Sequence, residues 1–265
     1  MKKIFCILSL CLLFSVACES NPENETPLQS GSSLITVAKT IGGHNAVIIK
    51  PENGKSGAPV VTILTDDLEL ATRAAAADVN LKVAEHCLIG GYILCVIEAT
   101  NNDDLSFLSD VKAGFPYASK FYLLGYRNGL AYTAAMQMPD AFAAFGCVSG
   151  AIDVETYKAN SFTKPVSFVH VHAVDNPEYQ WLGVEGKSVS IPLSVGAVVA
   201  IDECTHYSTK SFTQREGKGK VSCTTYLGGK KGHEVKFYRV ESANSGWCDE
   251  EFEVYNQVWN FFKNH

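Results

Sequence analysis

The chain has 265 residues with 28 acidic and 22 basic side chains, a net charge of −6, and 46% hydrophobic residues. That balance excludes a disordered polyelectrolyte and leaves room for one substantial buried core. No basic patch stands out and no stretch alternates Lys or Arg with aromatics, which argues against nucleic acid as a partner.

Lys2 and Lys3 precede an apolar run from Ile4 to Phe14 that ends in Ser15-Val16-Ala17-Cys18. This is the pattern of an export signal and is too short to span a bilayer by itself. The small residues before Cys18 resemble a bacterial lipobox. Residues 1–18 are therefore expected to be a lipoprotein-type signal, with Cys18 acylated and the membrane a partner through that lipid. The expected location is the cell envelope, with display on the outer-membrane surface as one outcome. Ser15 departs from the usual leucine, and cleavage by the ordinary signal peptidase is the alternative. Residues 19–33, ESNPENETPLQSGSS, are polar and acidic and read as a flexible tether. Residues 34–265 then form one domain.

Within that domain, Leu34–Ala38 and Asn45–Lys50 suit an antiparallel β entrance, and Pro59–Leu64 is a continuous apolar run fit for a strand buried on both faces. Glu69–Glu85 suits a helix. Strands at Tyr92–Glu98, Lys120–Leu124, Ala143–Ser149 and Val166–His172 follow, with helices expected at Asp104–Lys112 and Asn128–Met138. This order predicts an α/β class with a mainly parallel central sheet and helices on both faces. Ser190–Asp202 reads as a helix with Pro192 in its first turn. Val221–Leu227 and Val235–Val240 alternate like strands joined through Gly228, Gly229 and Gly232, and Glu250–Phe262 closes the chain as an amphipathic helix. Six cysteines lie in the domain. Cys87, Cys95 and Cys147 sit in apolar segments and are expected to be buried thiols. Cys204, Cys223 and Cys248 lie in or beside loops, where a bridge such as Cys204 to Cys223 is the expected kind.

Leu123-Leu124-Gly125-Tyr126-Arg127-Asn128-Gly129-Leu130 carries the strand-turn-helix pattern in which a G-x-S-x-G motif presents a nucleophilic serine, but arginine stands at the serine position. A guanidinium is permanently protonated and cannot attack a carbonyl. The surrounding stretch, DLSFLSDV followed by KFYLLGYRNGLAYTAAMQMPDAFAAFGCVSG, extends the likeness from Asp104 to Gly150. In order and spacing the chain from about Ala58 to Phe262 resembles the polyhydroxybutyrate depolymerase and feruloyl or acetyl xylan esterase group. The resemblance implies an α/β-hydrolase fold and a serine-histidine-acid triad, and this chain departs from that triad. Arg127 takes the nucleophile position and Asp175 the acid position. Ser245 or Asn244 occupies the place of the base, in a Ser242–Trp247 loop without histidine. Asp66 stands where the family's His-Gly helps to form the oxyanion hole, and a carboxylate there repels a developing oxyanion. Losing attack and proton abstraction together removes many orders of magnitude in rate.

Other residues offer weaker chemistry. Ser149 lies in a G-C-V-S-G stretch but reads as a turn residue, and Cys147 is embedded in apolar residues that make a thiol inert. His170 and His172 share a strand face without a third ligand other than Asp175, so no metal is expected. His206 and His233 fall in expected loops as solvated side chains. No cofactor is implied.

Arg127 has two readings: a plug that neutralises Asp175 or Asp66, or a guanidinium facing the cleft that binds a carboxylate or sulfate on a ligand. Tyr126, Tyr179, Trp181 and Trp247 are candidates to stack on a sugar or aromatic ester, Trp181 being the one expected to be most exposed. The expected function is a non-catalytic, esterase-like lipoprotein domain with a binding or accessory role in polysaccharide or ester-polymer breakdown. An active carboxylic-ester hydrolase with displaced residues and a structural or protein-interaction module are the two alternatives.

Overall fold

A computed structural model describes residues 34–68, 87–88, 90–101, 103–159, 162–212, 220–241 and 254–265. The expected helix at 69–85, the signal and tether, Trp247, Ser245 and Cys248 lie outside these residues.

Ten strands form one sheet in the order β1-β2-β4-β3-β5-β6-β7-β10-β9-β8. They are β1 (Leu34–Ile41), β2 (His44–Pro51), β3 (Val60–Thr65), β4 (Ile93–Glu98), β5 (Phe121–Tyr126), β6 (Ala144–Val148), β7 (Phe168–Ala173), β8 (His206–Phe212), β9 (Val221–Leu227) and β10 (Val235–Val240). The six strands from β4 to β10 in the middle of that order run parallel. Antiparallel pairs flank them on both sides. The mainly parallel sheet is therefore as expected. β3, β6 and β7 are buried along their whole length, which explains why β3 and β6 lack a polar face; β7 buries His170 and His172 as well.

Helices α1 (Leu108–Gly114), α2 (Leu130–Gln137), α3 (Val154–Ala159), α4 (Ile191–Asp202) and α5 (Val254–Phe262), with 3-10 turns at Leu105–Phe107 and Lys230–Gly232, complete the described elements. One core layer joins Leu108, Leu130, Ile191 and Val198 to one sheet face, and the other joins Val254, Val258 and Phe262 to the opposite face. Helices thus cover both faces. α4 starts where expected because the Ser190 hydroxyl accepts the Leu193 N–H and Pro192 sits in the first turn, where its missing N–H costs nothing. α3 and β8 were absent from the sequence reading. Neither contains a buried hydrophobic residue, so neither has the apolar periodicity that would reveal it.

The expected Cys204–Cys223 bridge is absent, since both are free thiols. Thr205 donates its N–H to the Leu227 carbonyl, and four residues of β9, about 13 Å of extended chain, separate Leu227 from Cys223. Disulfide geometry needs Cα atoms within about 7 Å. Burial pushes the thiols of Cys87, Cys95 and Cys147 up to about 12, as their apolar settings implied. Cys204 alone among the described thiols is half-exposed. N-ethylmaleimide should label Cys204 within minutes, whereas Cys87, Cys95 and Cys147 should react only after unfolding; peptide mapping by mass spectrometry reads the difference.

Candidate functional site

The turn after β5 is built as a nucleophile elbow. Arg127 has φ 59°, the left-handed region that costs a side-chain-bearing residue about 1 kcal/mol or more, and it sits between β5 and α2 where a reactive side chain would stand above the sheet. Its N–H bonds to the Val148 carbonyl (2.9 Å). The turn is crowded: a Cβ on Gly129 would lie 2.3 Å from the Ala151 carbonyl oxygen, and one on Gly150 would lie 1.9 Å from that of Asn128. Buried Asn128 locks the turn by donating to the Leu64 carbonyl (3.0 Å) and accepting from the Leu130 N–H (3.2 Å). Asn101, in the loop after β4, accepts the Gly129 N–H (2.9 Å) and donates to the Tyr179 hydroxyl (3.2 Å), so it ties two loops to the elbow.

The partner of Arg127 is Glu178, not Asp175. Nε and Nη2 both donate to Glu178 Oε2, at 3.1 and 2.9 Å. Lys187 Nζ lies 3.7 Å from the other carboxylate oxygen, and Arg127 Nη1 lies 3.9 Å from Asp67 Oδ2. The loop after β7 explains the choice. The side-chain oxygen of buried Asn176 accepts the N–H groups of Glu178 and Tyr179, making a tight turn that points Glu178 back at the elbow, while Asp175 is left exposed. The Asn176-Pro177 dipeptide is the signal in the sequence that could have found this turn.

Asp66, at the oxyanion-hole position, is exposed, and the charge of Arg127 acts on it. Burial of part of its carboxyl raises its pKa, with Arg127 opposing. For Arg127 burial works against the charge, but its hydrogen bond and attraction to Glu178 prevail and raise its pKa further. Asp66, Asp67 and Glu178 thus act on the Arg127 guanidinium, and Glu178 also meets the Lys187 ammonium. The Arg127–Glu178 pair is about one-third exposed, so its net worth is below about 1 kcal/mol; its consequence is a filled turn.

The substitute nucleophiles fare no better. Ser149 is fully buried with φ 57° and gives its N–H to the Val171 carbonyl. Cys147 is fully buried beneath the elbow and its Sγ faces the Asn128 carbonyl at 3.5 Å. His170 and His172 are also fully buried, stacked with ring centroids 5.4 Å apart. His170 Nδ1 meets the Tyr132 hydroxyl (2.7 Å), and the His172 Nε2–H donates to the Tyr179 carbonyl (2.8 Å). No group of three metal-ligating side chains exists among the described residues. His206 lies on an edge strand, not in a loop, and half-buried His233 bonds to the Ser167 hydroxyl (3.1 Å) instead of standing in solvent.

The aromatic candidates are packed. Tyr126 is 5% exposed and Tyr179 3%, the latter covered by the Lys187 ammonium 4.5 Å from its ring. Trp181, expected to be the most exposed, is half-buried between Phe237 and the Arg239 guanidinium. A cavity of about 210 Å³ opens at the other end of the parallel strands, lined by Lys55, Gly57, Ile93, Phe115 and Tyr117, and holds nothing that matches elbow chemistry.

No protein-family model matches the chain, and no curated protein matches it. Solved structures do. A predicted CIB-like hydrolase from Thermoplasma acidophilum is 10% identical, with a TM-score of 0.51 over 89% of this chain and 100% of that one. TT1662 from Thermus thermophilus is 11% identical, with a TM-score of 0.53 over 88% and 98%. At such identity the likeness shows the fold alone, and the fold is that of the α/β-hydrolases.

Proposed function

We propose that this α/β-hydrolase-fold chain is a non-catalytic member of the esterase type, similar to the polyhydroxybutyrate depolymerase and xylan-esterase group. It would be held at a bacterial cell envelope by an acylated Cys18 and act in polysaccharide or ester-polymer breakdown by binding. The observation that carries this reading is Arg127. It holds the strained elbow position and is neutralised there by Glu178, so the place of attack is filled by an ion pair. Burial of Ser149 and Cys147 supports the same reading by keeping alternative nucleophiles from a substrate. The sequence from 241 to 253, where the resemblance places the base, contains no histidine, which supports an elbow without a base.

Hydrolysis of p-nitrophenyl acetate and methyl ferulate by the full chain tests it. The expected rates equal buffer for the wild type and also for Arg127→Ser, because a serine without a base remains unactivated. Wild-type turnover that disappears in Ser149→Ala would sink the proposal.

A further inference from the structure

The sheet ends in an open edge. Among the described residues β8 pairs with β9 alone, and all seven of its residues, His206–Phe212, are exposed. Side chains alternate between the two faces of a strand, so exposure of every residue means that both faces of β8 are bare. The helices stop short of it: α4 packs on β7 and β10, and α5 on β6 and β7. The edge thus projects beyond both helix layers and presents a row of backbone N–H and C=O groups to a further strand.

Proteins block such edges with proline, a bulge, charged side chains or a covering loop. β8 has a single lysine, Lys210, and none of the rest. Its sequence, HYSTKSF, holds no proline and no acid, and its register with β9 runs residue for residue without a bulge. Tyr207, Thr209 and Phe212 all favour extended backbone. The other free edge of the sheet, β1, lies nine strand spacings away, about 43 Å, so it cannot fold back onto β8 within one chain.

We infer that β8 pairs with β8 of a second copy of this chain, antiparallel about a twofold axis through Thr209, to make one continuous sheet across a dimer. The strand is its own complement. A twofold axis perpendicular to the sheet keeps each face on its own side, so it must pass through a residue and not between two. Centred on Thr209, all seven residues pair; centred on Ser208 or Lys210, only five do. An axis at Lys210 would also set two ammoniums opposite each other, which is unfavourable. With the axis at Thr209, each Lys210 faces Ser208 of the second copy, each His206 faces Phe212 of the second copy, and the two Thr209 side chains face one another as a favourable pair. A contact from β8 to β1 of another copy would repeat without closing and build a fibre, whereas the β8 pair closes at two. Seven residues fall short of the roughly 20–30 per side of a standard interface, so the association is weak and depends on concentration. The axis reverses strand direction, and the two elbows therefore open at opposite ends of the joined sheet.

Sedimentation of the full chain at rising concentration should show the average mass climb towards twice the monomer value. Thr209→Lys, which places two ammoniums on the axis, should weaken association at least tenfold and leave thermal melting nearly unchanged, because the side chain is exposed. Thr209→Cys should give, under mild oxidation, a reducible dimer bridged from 209 to 209, since directly opposed residues have Cα atoms about 4.5–5.5 Å apart. Ser211→Cys, on the same face, should not: four residues along the strand hold its two copies about 14 Å apart, beyond disulfide reach. Peptide mapping separates the expected bridge from one through Cys204, the half-exposed native thiol. A monomer at every concentration, association unchanged in Thr209→Lys, equal bridging in the two cysteine variants, or growth past the dimer that Thr209→Lys abolishes would each overturn the inference. A monomer would leave the non-catalytic reading of the elbow untouched, and ester turnover would leave this pairing untouched.

Discussion

Gly150→Ala is expected to cost about 3–5 kcal/mol of stability, in the upper range for a point change that overpacks a core. A Cβ at Gly150 would lie 1.9 Å from the Asn128 oxygen, 2.6 Å from its carbonyl carbon and 3.0 Å from its nitrogen, all backbone atoms of the elbow. No side chain can swing aside to relieve that overlap. Either the segment after β6 or the elbow must move, and moving the elbow breaks the Asn128 bonds that join it to β3 and α2. Gly129→Ala meets the same obstacle through the Ala151 carbonyl at 2.3 Å. Gly196, inside α4 with nothing within 4 Å of its added Cβ, is the control. Its replacement by alanine should stabilise by up to about 1 kcal/mol, since only the helix-propensity term changes. Urea melts of the three variants give the comparison, and equal, small effects at Gly129 and Gly150 would contradict the packing described for the turn.

The second large effect is expected on acidification. Burial lowers the His172 pKa from its ordinary 6.5 to about 4, with the bond to the Tyr179 carbonyl opposing, and burial also holds that of His170 well below 6.5. Below pH 6.5 the unfolded chain takes up protons that the folded chain refuses until about pH 4. Stability is therefore lost as pH falls through this window. At pH 5 the shift of His172 alone corresponds to about 2 kcal/mol, at 1.36 kcal/mol per pH unit. Asp202 acts in the opposite direction. Its pKa is raised to about 7 by burial, against a bond from the Val166 N–H, so its contribution is full below about pH 4 and declines as pH rises to 7. The two must be separated by difference. The stability of wild type minus that of His172→Gln should fall by about 2 kcal/mol from pH 7 to pH 5. A difference independent of pH would show that His172 is protonated as readily in the fold as out of it.

Much of the fold was legible because its parallel strands are buried on both faces. Pro59–Leu64 announces itself as an apolar run, and Ser190 with Pro192 marks the start of α4. β8 was invisible for the converse reason: a strand exposed on both faces has no pattern to read, and His206 and Lys210 look like loop residues until the pairing with β9 is seen. At the site, the elbow and its arginine were plain from Gly125 to Gly129. The partner of Arg127 was not, because Asp175 lies nearer to the family's position while the geometry depends on a turn made by Asn176. Two hydrogen bonds accepted by Asn176 move the charge three residues along the loop, to Glu178, and the spacing of acids alone cannot reveal that.

Whether any nucleophile at this elbow can be acylated is decided by treating the native full chain with a fluorophosphonate probe and mapping adducts by mass spectrometry. No serine should be modified above the level of the heat-denatured chain, and Ser149 should stay unlabelled. Stoichiometric labelling of Ser149, or of any other serine in the native but not the denatured chain, would contradict it.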